Sequence, residues 1–430
     1  MARLLLLIPT TSYRVADFMA AAEGLDVELV VGSDQRPVLE QFAADRALTL
    51  DFSDTAESCR RIEAYGRDYP LAAILGVDDE TLLLAATASE ALGLVHNSPD
   101  SVIASRNKYR FRGALANAGP PSPDFRLLHL ETDDAAQAAK QAPYPCVLKP
   151  LALAASRGVI RADDEAGFLA ARRRIAAILK APDVVDVQGE TAAQILIESF
   201  IPGVEVALDG LLHDGELEVL ALFDKPDPLD GPYFEETLFI TPSRLPAAVQ
   251  DQIAATAACV IAALGLRHGP IHGEFRINDD GVWPLEMAAR SIGGLCGRTL
   301  SFGAGISLET LILRHSLGLP TSGLERDRRP AGVMMIPTPQ AGTLRAVRGL
   351  EDARAVPGVD DVTISIAPGR PVAPPPEGYR YLGFIFARGH SPDAVEETLR
   401  TAHARLEIVI EPEPDQEAKR AGMRSRSIRM

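Results

Sequence analysis

Cysteine is scarce in this sequence, and its spacing excludes two classes of small domain. The four cysteines, Cys59, Cys146, Cys259 and Cys296, lie far apart and form no CxxC pair. Disulfide-stapled secreted domains and zinc knuckles both depend on closely spaced thiols. We therefore expect neither a disulfide framework nor a structural zinc site, and we predict a protein of the reducing cytoplasm.

Long hydrophobic runs are absent as well. The run from Leu4 to Ile8 spans five residues before Pro9, which is too short for the core of a secretory signal and is typical of a buried strand. No apolar stretch approaches the ~20 residues that a helix needs to cross a bilayer. The sequence therefore predicts no membrane partner.

Basic residues are outnumbered by acidic ones. The sequence has 43 lysines and arginines against 59 aspartates and glutamates, so its net charge is -16 at pH 7. This charge disfavours a nucleic-acid partner, which would be held through its phosphates. Charged residues make up 24% and hydrophobic ones 47%, the usual mixture in a soluble globular protein. A chain of 430 residues is expected to form about three domains.

Two common nucleotide-binding fingerprints are also missing. Residues 9–12, PTTS, follow the first predicted strand, at the place where a dinucleotide-binding fold carries GxGxxG. The Walker motif GxxxxGK[ST] does not occur in the sequence, so a P-loop is not predicted. Any bound ATP must be held by a different arrangement.

Alternating signals for strands and helices predict the domain organisation. Over residues 1–105, short apolar runs alternate with amphipathic segments, which predicts an α/β domain with a parallel sheet. Residues 106–320 mix strand and helix signals and predict an α+β unit, and residues 321–412 predict a small α+β domain with a helix near its end. Residues 413–430 have no core-forming pattern and are predicted to be a disordered tail.

Two glutamates on a predicted hairpin are the most informative feature. In the segment IHGEFRINDDGVWPLEMAAR, residues 271–290, a three-residue turn at Asp279-Asp280-Gly281 would place Glu274 directly opposite Glu286. Pro284 lacks the N–H that a paired strand needs, so a one-residue slip of the register stays open.

Facing carboxylates are unfavourable unless a cation or an arginine compensates them. Ala288 and Arg290 follow on the same face of the predicted strand. An oxygen-only pair without nearby thiols suits magnesium better than zinc, and Mg²⁺ usually accompanies substrate phosphates. A solvated hairpin with both acids in water is the alternative interpretation.

Two lysines are candidates for binding phosphate. Lys108 begins a predicted helix, and Lys149 ends a predicted strand that is followed by the small-residue loop Ser156-Arg157-Gly158. Such a loop lets backbone donors approach phosphate oxygens, and an ammonium on a rigid strand neutralises them. Each lysine taken alone would be interpreted as an exposed, solubilising side chain, so the prediction depends on their combination.

A third motif, ESFIPGVE, carries Glu198 and Glu205. A strand that leaves the core and turns at Pro202-Gly203 can offer backbone groups to a purine ring, and an acid beyond the turn can accept ribose hydroxyls. An ordinary surface acid is the alternative interpretation of Glu205.

The order of these motifs resembles the ATP-grasp superfamily over most of residues 1–320. The motif ExxxR at Glu286 and Arg290 completes the series, and the segment GVDDETLLLAATASEALGLVHNSPDSVIASRNK resembles the pre-ATP-grasp domain. The segment AGVMMIPTPQAGTLRAVRGLEDARAVPGVDDVTISIAPG resembles the C-terminal domain of L-amino-acid ligases, an ATP-grasp branch that makes dipeptides. The expected fold is therefore a pre-ATP-grasp α/β domain, an ATP-grasp fold and a small C-terminal α+β domain.

This resemblance implies that ATP lies between two subdomains of the central unit. The implied ATP-binding residues, from the phosphates to adenine and ribose, are Lys108, Lys149, Ser156, Arg157, Gly158, Glu198, Ser199, Ile201 and Glu205. Glu274 and Glu286 would hold Mg²⁺, with Mn²⁺ as a substitute. The family usually has asparagine two residues after the second glutamate, whereas this chain has Ala288, which puts a second metal site in doubt.

The implied reaction transfers a phosphoryl group from ATP to a carboxylate, and an amine then attacks the acyl phosphate. Arg290 is predicted to be catalytic, because a guanidinium can steady the acyl phosphate and the oxyanion; a salt bridge to one of the glutamates is its alternative role. Glu236 is predicted to pair with the amino group of an amino-acid substrate. Gly293 and Gly294 are predicted to let the substrate carboxylate approach backbone N–H groups.

Other interpretations stay open. A carboxylase or a purine-pathway synthetase would share the same superfamily, and Ala288 also fits an ATP-binding module without turnover. His268 and His272 do not form a zinc helix, since Gly269-Pro270 between them breaks any helix. The oligomeric state is not predicted beyond a homodimer as one option.

Overall fold

The computed structural model describes residues 2–35, 46–116, 118–182, 184 and 189–412. The tail predicted at 413–430 lies outside the described residues. The described part combines α/β and α+β units, as expected from the sequence.

The first unit is a parallel sheet packed against helices. Its four strands pair in the order β3-β2-β1-β4, and the leucines of the first strand are buried, as the short apolar run predicted. The elements are β1 (Ala2–Leu7), α1 (Val15–Glu23), β2 (Val27–Ser33), β3 (Ala47–Thr49), α2 (Thr55–Asp68), β4 (Ala73–Gly76), α3 (Asp79–Ala91) and α4 (Pro99–Arg106). Helix α3 begins directly beyond the carboxyl end of β4, so its first residues face the rest of the molecule at the edge of the sheet.

A small antiparallel sheet follows, which we call the small subdomain (residues 125–199). Its strands pair in the order β5-β8-β6-β7, and one face is covered by a helix that buries Phe168 and Ile175. The elements from this part of the chain are α5 (Lys108–Leu115), β5 (Phe125–His129), α6 (Ala135–Lys140), β6 (Cys146–Pro150), β7 (Ile160–Ala162), α7 (Glu165–Leu179) and β8 (Gln194–Ser199).

The largest element is an antiparallel sheet of eight strands, in the order β13-β12-β9-β10-β11-β16-β20-β18. Its central elements are β9 (Val204–His213), β10 (Glu216–Lys225), β11 (Leu238–Thr241), α8 (Ala247–Leu264), β12 (Gly269–Asn278) and β13 (Gly281–Ala288). Strands β9 and β10 form an antiparallel hairpin. Its two turn residues, Asp214 and Gly215, have φ values of 54° and 91°, which suits a tight turn of the primed type.

The C-terminal region adds three strands to this sheet and also forms a small sheet of its own. The chain passes through β14 (Ser301–Phe302), β15 (Ile306–Ser307), α9 (Leu308–Ser316), β16 (Ala331–Met335), β17 (Gly342–Arg348), α10 (Leu350–Arg354), β18 (Val359–Ile364), β19 (Pro371–Val372), β20 (Gly383–Arg388), α11 (Pro392–His403) and β21 (Glu407–Glu411). Strand β16 pairs with β11 and with β20, so the predicted boundary at residue 320 separates strands of one sheet. A three-stranded sheet, β19-β17-β21, completes the region.

Among the described residues, helix α8 is long and apolar enough to cross a membrane, judged by length and composition alone. In its 18-residue window, 28% is buried inside the protein. Ile253, Ala257, Val260 and Ile261 pack into the core beneath the eight-stranded sheet. A single helix of this kind is weak support for a membrane span.

One hydrophobic cluster joins the parts of the molecule. Leu4, Leu6 and Phe18 of the first unit pack together with Phe223 and Phe384 of the large sheet. All five side chains are almost completely buried. The first unit is therefore fixed against the large sheet, and the loops at their junction have defined positions.

Candidate active site

The two glutamates of the predicted hairpin face each other. Glu274 of β12 is paired with Glu286 of β13, as predicted. The predicted three-residue turn is wrong, because Asn278 pairs with Gly281 and only two residues lie between them. Phe275 pairs with Pro284, so Leu285 is an extra residue that bulges out and restores the pairing of the two acids.

A buried lysine, which the sequence analysis missed, lies among three acids. Lys225 ends β10 and is paired with Glu205 on β9. Its Nζ atom donates to Oε1 of Glu205 and to Oε1 of Glu274 at 2.8 Å each, and it also donates to Glu236. Oxygen atoms of the three acids lie within 4.8 Å of one another. The signal in the sequence was DKPD, a lysine at the end of a buried strand.

These groups determine each other's charge. Burial lowers the pKa of Lys225, but the three carboxylates outweigh burial and raise it well above its ordinary value. Burial and the neighbouring Glu274 raise the pKa of Glu236 to about 8. Burial would also raise the pKa of Glu274, yet Lys225 and His272 hold it well below its ordinary value. Near neutral pH, Lys225 and Glu274 are therefore charged, and Glu236 is the acid that shifts between forms.

Lys149 and Glu198 form a second buried ion-pair group. The Nζ atom of Lys149 lies 2.6 Å from Oε2 of Glu198, and Nε of Arg112 donates to Oε1 of Glu198 at 2.6 Å. Burial would raise the pKa of Glu198, but Arg112 and Lys149 lower it to about 2. The carboxylate of Glu198 is thus occupied by two cations, and the backbone that follows it is what remains for a purine ring. Arg112 was not foreseen from the sequence.

Lys108 lies close to the hairpin. Its Nζ atom donates to the carbonyl of Leu153 at 2.8 Å and lies 3.6 Å from Oε2 of Glu286. It therefore connects the loop after β6 with the second glutamate of the hairpin.

Seven of the nine predicted ATP-binding residues line one cavity between the small subdomain and the large sheet. Phe200, Val147 and Leu285 supply apolar walls, and Glu274 and Glu286 line the same cavity. Apolar walls with a few charged groups at one end are typical of a nucleotide pocket. The seven residues are Lys108, Lys149, Ser156, Glu198, Ser199, Ile201 and Glu205.

The other two predicted residues, Arg157 and Gly158, do not line this cavity. The guanidinium of Arg157 lies over the ring of Tyr379, 4.5 Å from its centre, and the N–H of Gly158 donates to the carbonyl of Pro376 at 2.9 Å. Both residues contact the C-terminal region, a contact that the sequence analysis did not anticipate. Within the same loop, Ser156 adopts a φ of 53° and Gly158 one of 74°, so the backbone is tightly curved.

A second cavity of about 210 Å³ lies on the other side of the two glutamates. It is lined by the predicted residues Glu236, Gly293, Gly294 and Arg290, together with Glu274 and Glu286. The first unit and the C-terminal region contribute further lining residues that the sequence did not predict, among them Thr11, Ser12, Tyr13, Arg14, Asp78, Asp79, Glu80, Tyr379 and Tyr381.

Arg290 forms a salt bridge that was not foreseen. Its Nη2 and Nε atoms donate to Oδ2 of Asp79 at 2.6 and 3.0 Å, whereas the alternative role predicted from the sequence was a bridge to one of the hairpin glutamates. Burial lowers the pKa of Arg290, but Asp79 outweighs burial and raises it. The guanidinium is thus a permanent cation fixed between the first unit and the hairpin.

His272 lies inside the site on a strand. Its Nδ1 atom is 2.7 Å from Oδ1 of Asp209, and its Nε2 atom is 3.6 Å from Oε1 of Glu274. Burial lowers the pKa of His272, but these two acids raise it to about 9. His272 is paired with Ala288 across the two strands, so a cationic imidazole lies beside the position where the alanine offers no ligand.

The hairpin is suited to holding a divalent cation. Glu274 and Glu286 supply oxygen atoms to both cavities at their junction, and hard cations such as Mg²⁺ prefer carboxylate oxygens. Cys296, which lines the second cavity, is a buried thiol whose pKa is raised by burial, so it does not supply a thiolate ligand for a softer metal.

Family models describe three parts of the chain. A model of the ATP-grasp domain matches residues 142–299, one of the ATP-grasp N-terminal domain matches residues 19–95, and one of the L-amino acid ligase C-terminal domain 2 matches residues 334–411. The chain belongs to the ATP-grasp superfamily and is an enzyme of its ligase class, which confirms the resemblance and the fold predicted from the sequence.

Individual relatives are distant. The crystal structure of an L-amino acid ligase from Bacillus licheniformis is 25% identical, with a TM-score of 0.78 over 96% of this chain and 99% of that one. Dapdiamide A synthase of Enterobacter agglomerans is 27% identical over 77% of this chain and 79% of that protein. An alanine–anticapsin ligase of Bacillus subtilis is 29% identical over 48% of this chain and 46% of that protein.

Proposed function

We propose that this protein is an ATP-dependent carboxylate-amine ligase that joins amino acids through an acyl phosphate. The observation that supports this most is the pair of cavities that share Glu274 and Glu286. One cavity has the features of a nucleotide pocket, and the other collects charged groups suited to a zwitterionic substrate. The γ-phosphate and the substrate carboxylate would then meet at the hairpin.

The residues have distinct roles in this proposal. Lys108 and Lys149 neutralise the phosphates of ATP, and the backbone of residues 199–201 holds adenine. Arg290, held by Asp79, steadies the acyl phosphate and the oxyanion that forms when the amine attacks. A divalent cation bound by Glu274 and Glu286, Mg²⁺ with Mn²⁺ as a substitute, would neutralise charge on the phosphates.

Substrate recognition uses the second cavity. Glu236 pairs with the ammonium group of one amino acid, and Gly293 and Gly294 allow a substrate carboxylate to approach backbone N–H groups. The two carboxylate oxygens of Glu205 already accept from Nζ of Lys225 at 2.8 Å and from Nε of Arg276 at 3.0 Å, and their remaining lone pairs accept the ribose hydroxyls in this proposal. A cytoplasmic location and a homodimer as one mode of assembly belong to the same proposal.

The test is a phosphate-release screen of amino acids offered in pairs, followed by mass spectrometry of the product. ADP and phosphate should appear only when both partners are present, without bicarbonate. Arg290→Ala and Glu286→Ala should lose turnover while circular dichroism stays unchanged. Asp280→Asn, on the exposed turn of the same hairpin, is the matched control and should retain turnover.

Two other outcomes would replace this proposal. Phosphate release that requires bicarbonate would indicate a carboxylase or a synthetase of the purine-pathway kind, whose solved structures share this fold at 14–17% identity. Calorimetric binding of ATP without any release of ADP would indicate a binding module, for which the missing ligand at Ala288 is the supporting observation.

A further inference from the structure

One loop of the C-terminal region reaches across to the small subdomain. We call this loop, residues 373–381, the bridging loop. Its Pro376 carbonyl accepts the N–H of Gly158 at 2.9 Å, and Glu377 accepts Nη2 of Arg174 at 2.7 Å. Tyr379 lies under the guanidinium of Arg157. Three kinds of contact therefore join one short loop to the subdomain that covers the ATP cavity.

Gly158 and Gly378 each keep their own segment compact. A Cβ atom at Gly158 would lie 2.7 Å from Cγ of Pro150 in the same subdomain, and its φ of 74° is one that other residues rarely adopt. A Cβ atom at Gly378 would lie 1.7 Å from the carbonyl oxygen of Ala373 in the same loop. The bond from Gly158 to Pro376 therefore joins two tightly folded segments of backbone.

The same loop also reaches the substrate cavity. Tyr379 and Tyr381 line this cavity, and the hydroxyl of Tyr381 donates to Oε2 of Glu236 at 3.3 Å. Burial raises the pKa of Tyr381 well above its ordinary value, so the phenol keeps its proton and remains a donor. Arg380, between them, lies over the ring of Tyr13, 5.8 Å from its centre, so the loop contacts the first unit as well.

We propose that the bridging loop couples substrate binding to closure: Tyr381 positions Glu236 toward the amino-acid substrate, while Pro376, Glu377 and Tyr379 hold the small subdomain closed over ATP. Tyr379 and Tyr381 are positioning residues in this proposal. The part that concerns substrate rests on the proposed ligase function, whereas the part that concerns closure does not.

Closure matters chemically because an acyl phosphate also reacts with water. When the amine attacks, its nitrogen forms the C–N bond and gives up one proton, the C–O bond to phosphate breaks, and phosphate leaves with that electron pair and takes up the proton. When water attacks the same carbon instead, phosphate leaves, the carboxylic acid is regenerated, and one ATP has been hydrolysed without product. A loosened bridging loop should therefore raise the ratio of ADP to amide above one.

The first experiment weakens the bridge without touching either cavity. Glu377→Gln and Arg174→Gln should each raise the ADP-to-amide ratio about two- to fivefold, since a partly exposed pair contributes modestly. The double variant should be no worse than the stronger single one, because both remove the same interaction. Arg173→Gln, an exposed arginine on the same helix, is the matched control and should leave the ratio unchanged.

A second measurement does not require turnover. Hydrogen exchange of the amides in residues 151–162 should speed up about two- to fivefold in Glu377→Gln and stay at the wild-type rate in Arg173→Gln. If no amino-acid pair gives product, this measurement still tests closure, and the failure belongs to the proposed function. If ligation is normal and both the exchange rates and the ADP-to-amide ratio stay at wild-type values in Glu377→Gln, the closure part is overturned.

The positioning role needs its own variants. Tyr381→Phe keeps the ring and removes the hydroxyl that donates to Glu236. KM for the amino acid should then rise about tenfold, the size expected for one buried hydrogen bond, while KM for ATP stays constant. Tyr379→Phe should preserve the stacking on Arg157 and rescue the defect of Tyr379→Ala. An equal rise of both KM values in Tyr381→Phe would contradict the assignment.

Discussion

Replacing Lys225 with methionine removes the cation on which three buried carboxylates converge. The side chain of Lys225 is 3% exposed, and those of Glu205, Glu236 and Glu274 are 8%, 16% and 14% exposed, so solvent screens their repulsion poorly. Removing one partner from a buried ion pair costs about 3 to 5 kcal/mol, because the remaining charge is left uncompensated. Methionine nearly preserves the volume of the lysine side chain, so the loss in the free energy of unfolding reports the missing charge more than a change in packing.

The predicted loss of stability depends on pH, and its sign follows from Glu274. Burial would raise the pKa of this acid, but Lys225 and His272 hold it well below its ordinary value. A group whose pKa is lowered on folding contributes stability that is present above its unfolded value and is lost as pH falls through the folded value. Lys225→Met removes the main cation that lowers this pKa, so the destabilisation should be small at pH 4.5 and should grow toward pH 8.

The assay is unfolding in urea, monitored both by circular dichroism and by the fluorescence of Trp283. This is the single tryptophan of the chain, and it lies on β13, the strand that carries Glu286, so the two signals compare the whole molecule with the hairpin of the active site. Lys180→Met, an exposed lysine at the end of α7, should change stability by less than about 0.5 kcal/mol. A loss below about 1 kcal/mol at pH 7, or an equal loss at pH 4.5 and pH 8, would refute the reasoning.

Two further predictions concern groups whose charge the fold controls. The pKa of Glu198 is about 2, so this acid contributes about 3 kcal/mol of folding stability above pH 4.5, and that stability is lost as pH falls toward 2. Arg112→Met should reduce the contribution. Acid unfolding of this variant, followed by circular dichroism, should therefore begin at a higher pH than in the wild type. The pKa of His272 is about 9, so its contribution, again about 3 kcal/mol, is present below pH 6.5 and is lost as pH rises through 9. Thermal melts of His272→Gln from pH 6 to 10 should lack the decline that the wild type shows, and a parallel decline in both proteins would contradict the assignment.

Local patterns were enough to predict much of the fold. The alternation in β12 and β13 placed Glu274 opposite Glu286, because side chains repeat every two residues in a strand. The turn was wrong, since a bulge at Leu285 adds one residue and shortens the loop by one. Pro284 was the visible sign of this irregularity, but a missing N–H shows where pairing fails and not how the chain compensates.

Long-range ion pairs could not be predicted from spacing. Arg290 and Asp79 are 211 residues apart, and Arg112 and Glu198 are 86 apart. Each pair forms because separate elements end at the same edge, and the sequence gives no local sign of which acid meets which base. The same reason explains why the bridging loop was missed: Gly158 and Pro376 meet only once three units have packed together.

More basic side chains lie close to Glu274 than to Glu286, the other glutamate of the hairpin. Lys225 and His272 both lie against Glu274, whereas Glu286 has Lys108 at 3.6 Å and a side chain that is 34% exposed. A carboxylate that is already neutralised by two nearby cations has little attraction left for a divalent ion. Glu286→Gln should therefore weaken the binding of Mn²⁺ with ATP, measured by electron paramagnetic resonance, at least tenfold more than Glu274→Gln does. The opposite order would mean that Lys225 moves away from Glu274 when nucleotide binds, and Glu274 would then be the principal metal ligand.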